Sequence, residues 1–200
     1  MNRSSAHMGL LAGAIFAASV FFFAFGLDGY SHRVHPVGLL GAQGMPHALA
    51  FNLVGFLLPG LLAVWVCWRL RERLESGPWT ARIGAWMALL SSLAFAAQGL
   101  SHLDPEHLES TASRLHGVAW MLWWLAFAPG ALLLGLGLQS RPGWGALAAV
   151  SALAGIAVPV FAMAPAAWMP AAIAHRIAFL LWFAWLAWAG YAQSRDHGFP

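Results

Sequence analysis

The sequence contains no lysine, and all ten of its basic residues are arginines. That absence excludes a retinal Schiff base and any other cofactor held through a lysine imine. Cysteine is nearly missing as well: Cys67 stands alone, so no intrachain disulfide can frame the fold. Charge is scarce, at 8% of the 200 residues against about 25% in soluble domains. No G-x-S-x-G elbow and no H-E-x-x-H zinc motif occurs, which removes two common hydrolase layouts. The gaps between apolar runs are short and leave nowhere for a separate soluble domain.

What is there is apolar, with 60% of positions hydrophobic. Spans near the ~20 residues needed to cross a bilayer occupy 7–27, 47–70, 82–103, 115–138, 144–163 and 171–191. The reading is an all-α membrane protein with six transmembrane helices arranged as three helical hairpins. Residues 1–200 are expected to form a single six-helix transmembrane domain. The first run exceeds the ~7–15 apolar residues of a signal peptide and is followed by no convincing cleavage site. It is therefore expected to stay as a helix.

The arginines set the expected topology. Arg3, Arg69, Arg71, Arg73, Arg82, Arg141 and Arg195 fall on one side, and Arg33, Arg114 and Arg176 on the other. By the positive-inside rule the N- and C-termini are cytoplasmic, in a multi-pass protein of a bacterial inner membrane. Positive charge used in this way points to membrane lipid as a partner and not to nucleic acid. Protein partners stay unknown at this level. Most of the twelve tryptophans need little explanation. Trp65, Trp68 and Trp79 suit the inner interface, and Trp182, Trp185 and Trp188 read as a packing stripe.

A short pattern recurs in the second, fourth and sixth spans. His47-Ala-Leu-Ala-Phe51, His116-Gly-Val-Ala-Trp120 and His175-Arg-Ile-Ala-Phe179 each read His, any residue, aliphatic, Ala, aromatic. Each sits where the chain re-enters the membrane from the outer side. Pro59-Gly60 and Pro129-Gly130 follow the first two histidines at nearly the same interval, roughly 18–20 Å down a helix. A histidine at an interface has a bland role available, burying one ring edge and wetting the other. Three at an equal expected depth, one per hairpin, make a shared site the sharper alternative.

The outer side also collects His32, His35, His102, His107, Asp28, Asp104, Glu106 and Glu109. Ionisable groups near membrane depth mark a site or a water-filled cavity. His102 follows Gln98 by four positions, so both are expected on one face of the third helix. Asn52 lies about a turn and a half below His47. Asn52 and Gln98 then line a polar funnel, or else hydrogen-bond between helices. Asp104-Pro105-Glu106 reads as a helix N-cap followed by proline.

Residues 30–60, YSHRVHPVGLLGAQGMPHALAFNLVGFLLPG, resemble a family of bacterial integral membrane proteins called "domain of unknown function 998". The resemblance is carried by Gly41-Ala42 in the first outer loop, Phe51-Asn52 and Pro59-Gly60 on the next helix, and His116-Gly117 later. It departs at Gly38-Leu39-Leu40-Gly41, where the family tends to carry Ser-Glu before Leu-Gly. The resemblance implies six helices along nearly the whole chain and no activity.

Two classes of function are open. In the first, His47, His116, His175 and His102 bind zinc or copper at the outer face. Three nitrogens and an open position would suit a metal-dependent membrane hydrolase acting on a lipid-like or amphipathic substrate. Asn52, Gln98 and Arg176 would contact the substrate, Arg176 holding an anionic headgroup, and no catalytic residue is assigned. In the second, the chain is a non-catalytic lipid-binding, sensing or accessory subunit. A haem-binding redox protein ranks behind both, and a transporter last.

Overall fold

In hydrocarbon the backbone must satisfy its N–H and C=O groups internally, and an α-helix does this within one segment. Each apolar run accordingly becomes a helix. The computed structural model describes residues 4–194. Its long helices are α1 (Ser4–Phe25), α2 (Ala48–Arg73), α3 (Trp79–Ala97), α4 (Thr111–Leu138), α5 (Gly145–Ala162) and α6 (Ala171–Ser194). Six helices among the described residues are long and apolar enough to cross a membrane. The chain is a multi-pass membrane protein.

Short connections make consecutive helices antiparallel. Helices α1 and α2, α3 and α4, and α5 and α6 pack as hairpins; α2 also packs on α3, and α4 on α5. Helix α1 then closes against α6, so the bundle is a ring. That closure rests on Gly9 and Gly13, which are spaced one helical turn apart. A Cβ on Gly9 would stand 2.7 Å from the carbonyl oxygen of Leu186, and one on Gly13 3.3 Å from Phe183 Cβ. Without a hydrophobic driving force between helices in lipid, such close backbone approach supplies the packing energy. Inside the ring Phe16, Phe95, Trp123, Phe179, Trp182 and Phe183 form one aromatic core, with Phe95 stacked on Trp182 at 4.9 Å.

Three loops (26–47, 101–110 and 163–170) join the helices at one end, and two shorter ones at the other. The two-loop face carries Arg69, Arg71, Arg73, Arg82 and Arg141. There Arg71 lies over the rings of Trp68 and Trp86, at 5.3 and 4.8 Å. The three-loop face carries Arg33, Arg114 and Arg176. Arg3, Arg195 and His197 lie outside the described residues.

Several local features differ from the sequence expectation. Helix α3 stops at Ala97 and passes through a 3-10 turn, Gln98–Leu100, into extended Ser101. Gln98 and His102 therefore do not share a helical face. Helix α4 begins at Thr111, earlier than expected, because Ser110 is its cap and accepts from the Ser113 N–H at 3.2 Å. Asp104 caps no helix; its carboxylate accepts from the Glu106 and His107 N–H groups and so holds a turn.

Helix α2 contains a π-helical turn, Asn52–Leu57. Pro59 lies just beyond it, has no N–H to give, and crowds the carbonyl of Gly55, four residues back. The widened turn relieves that conflict, and Ser19 of α1 donates to the Val54 carbonyl at 3.2 Å. The first loop is no passive tether. Its segment Val37–Gly41 is a 3-10 helix whose Val37 and Leu40 are buried.

Candidate functional site

The 3-10 helix of the first loop caps a cavity of about 210 Å³ at the three-loop end of the ring. Its walls come from six parts of the chain, the loop after α3 contributing Leu103. The loop contributes Val37 and Gly38; the π-turn, Phe56; the end of α3, Gln98; α4, His116, Gly117 and Trp120; and α6, His175 and Phe179. Hydrocarbon and ring carbon dominate. The polar exceptions are Gln98 and the two histidines.

His116 is buried and held in a defined tautomer. Its Nδ1 lies 3.1 Å from the carbonyl oxygen of Gln98 and 3.0 Å from that of Ser101. Both partners can only accept, so Nδ1 carries the proton and donates. These are carbonyls freed where α3 ends, so the imidazole also closes that helix terminus. In the neutral ring that proton leaves a lone pair at Nε2, for which no hydrogen bond is seen among the described residues. Nε2 faces Gly38, where a Cβ would lie 3.0 Å away.

Gln98 supplies the second unspent group. The residue is 1% exposed and its Nε2 has no partner among the described residues. A buried amide left unpaired costs about 1–3 kcal/mol, yet this one stands on the cavity wall beside His116. His175 is half-buried, its ring 4.8 Å from that of Trp120.

The structure divides the other expected site residues. The three repeat histidines do not converge, because their helices start at different offsets from them. His47 precedes α2 in a left-handed conformation (φ 59°), is exposed, and lines a separate pocket with Phe22 and Phe25. His116 and His175 lie more than a turn inside α4 and α6 and share one cavity. His102 is half-buried on the neighbouring loop and does not line that cavity. Among the described residues no three His, Cys, Asp or Glu side chains come together in a group that could hold a metal ion.

Asn52 is buried and committed, its Nδ2 donating to the Gly41 carbonyl at 2.8 Å. A Cβ on Gly41 would collide with that same amide. Arg176 is also engaged within the protein. Its Nη1 donates to the carbonyls of His35 and Ala172 at 3.0 and 2.8 Å, and its Nη2 to the Tyr30 hydroxyl at 2.6 Å. Arg176 thus fastens the first loop to α6 through its Nη groups, while its buried Nε makes no hydrogen bond among the described residues. Partial burial pushes the Tyr30 phenol above its ordinary range, and the charge and hydrogen bond of Arg176 oppose that. Desolvation, with Arg176 adding to it, holds the His32 imidazole below its ordinary value.

Sequence reasoning missed Tyr30, Gly38, Phe56 and Trp120. The signal available was the apolar, glycine-spaced run Val37-Gly-Leu-Leu-Gly41 within a loop, which has no reason to be apolar unless it docks.

A closed ring of six membrane-crossing helices with a loop-capped pocket at one end defines a polytopic helical membrane protein. The chain belongs to the family described as "Protein of unknown function (DUF998)", whose model matches residues 10–192. No curated protein and no solved structure matches it. Of the residues that carry the family resemblance, Gly41 and Asn52 bond to each other, and His116-Gly117 forms a wall of the cavity.

Proposed function

We propose that this membrane protein binds a lipid-like, amphipathic molecule in the pocket at its three-loop face. The observation that carries the reading is the buried, unpaired amide of Gln98 on the wall of an otherwise apolar cavity. A ligand group that meets this amide would offset the cost of leaving it unpaired. The bare Nε2 of His116 and the two aromatic walls suit the head and upper carbons of a bilayer molecule, and binding needs no chemistry. From the arginine distribution, the three-loop face is the outer one, and the setting is a bacterial inner membrane.

Gly117 gives the test. It lines the cavity, and a Cβ there meets nothing within 4 Å, so Gly117→Met fills the pocket without opposing the fold. Lipid mass spectrometry of the detergent-purified protein is expected to find a species enriched to about one per chain, and to lose it in Gly117→Met. Equal lipid profiles in the two proteins would end the reading.

A metal is the second reading, favoured by His116 and His175 sharing one cavity. Zinc or copper held between them needs a third donor from outside the described His, Cys, Asp and Glu groups. A hydrolase built on that ion would act on the same amphipathic substrate. Haem has less support, since a porphyrin far exceeds the benzene that fills an engineered cavity of ~150 Å³. Elemental analysis of the same sample tests the metal: near-stoichiometric zinc or copper, lost in His175→Gln, would favour it over simple lipid binding.

A further inference from the structure

The unspent groups on the cavity wall differ in kind, and together they select a head chemistry. Resting on the lipid-binding reading above, we propose that the ligand carries an uncharged hydroxyl head: a long-chain lipid alcohol, whose O–H donates to His116 Nε2 while its oxygen accepts from the Gln98 amide. His116 offers a lone pair, because both acceptors at Nδ1 fix the proton there. Gln98 offers an unpaired N–H. Both residues line the same cavity, and the Nδ1 side of the His116 ring is bonded to the backbone carbonyl of Gln98.

Other heads fit worse. An ester or ketone only accepts, so it meets Gln98 and leaves the His116 lone pair buried and unpaired. A carboxylate likewise brings no donor, and both it and a phosphate bring a charge. Among the cavity-lining residues there is no Asp, Glu, Lys or Arg. Arg176, whose Nη groups are directed to Tyr30, His35 and Ala172, does not line the cavity. A buried ion without a counter-charge is strongly disfavoured. A hydroxyl is donor and acceptor in one atom and needs no counter-ion. The cavity, at about 210 Å³, exceeds the ~150 Å³ that admits benzene. It takes the head and the first carbons, and the tail runs out into the bilayer.

The test uses the full chain in phosphatidylcholine nanodiscs and three radiolabelled probes of one chain length: oleyl alcohol, oleyl methyl ether and oleic acid. Binding is counted as the excess over Gly117→Met, which removes partitioning into the lipid. The alcohol is expected to bind at about one per chain, with the ether and the acid at least about tenfold weaker. Gln98→Leu is expected to cut alcohol binding by a similar factor. The same variant is expected to raise the thermal midpoint of the ligand-free protein, because a similar-sized apolar group replaces an unpaired polar one. A lowered midpoint would show that the amide serves the fold, and would overturn the inference. Equal binding of alcohol and ether, both lost in Gly117→Met, would keep the lipid pocket and overturn the hydroxyl head, as would tighter binding of the acid. No excess over Gly117→Met for any probe would remove both readings and leave a pocket that holds only water.

Discussion

Two of the three hydrogen bonds from one guanidinium fasten the first loop over the pocket. Arg176 reaches the Tyr30 hydroxyl and the His35 carbonyl from α6, and returns one bond to its own helix at Ala172. Its planar fork allows this, and an ammonium on a flexible stem does not reproduce it. Arg176→Lys is therefore expected to keep the charge and weaken the clasp by about 1–3 kcal/mol. Hydrogen exchange at the amides of 30–42 should quicken while the amides of α3 and α4 hold. Unchanged exchange in the loop would show that Arg176 is not what holds it. Asn52 acts alike from beneath, through the Gly41 carbonyl. Neither role could be read from residue type, since an arginine or asparagine at a membrane face is equally apt for ligand or backbone.

At the scale of elements, the site depends on where helices stop. Helix α3 ends at Ala97, with His116 taking up the carbonyls of Gln98 and Ser101. The π-turn of α2 is the other device: it turns Phe56 onto the cavity and lies against the Gly99 turn, where a Cβ would stand 2.5 Å from the Asn52 carbonyl. Pro59 was visible in the sequence; the widened turn it favours was not, because a proline can also simply kink a helix. Helix α4 begins at its Ser110 cap. Ser110→Ala should cost about 1 kcal/mol and speed hydrogen exchange at 111–114. Asp104→Ala should loosen the turn at 104–107 and leave that first helical turn intact. Fraying of α4 in the Asp104 variant instead would return the cap to Asp104.

At the scale of the whole molecule, the ring has two unlike ends. One carries most of the described arginines and short loops; the other carries the long loops and the pocket. With Cys67→Ala as background, single cysteines at Leu108 and Ser140 test the orientation in intact cells. Both positions are exposed, on opposite ends. A membrane-impermeant maleimide is expected to label Leu108→Cys and spare Ser140→Cys. The reverse pattern would invert the topology and place the pocket on the inner side.

The six helices, their order and their approximate limits were legible along the chain, because a bilayer makes apolarity a local demand: each crossing segment must meet it alone. The recurring His-x-aliphatic-Ala-aromatic pattern was legible too, and it led to two cavity residues, His116 and His175. That His47 stands apart was decided by tertiary structure alone. The same holds for the Gln98 Nε2 being buried with no partner while Asn52 Nδ2 and the Arg176 Nη groups are bonded within the protein. These outcomes depend on which carbonyls and amides meet across segments far apart in sequence. A polar side chain's role in a bundle is set by whether a partner arrives there, and composition and spacing carry no record of that.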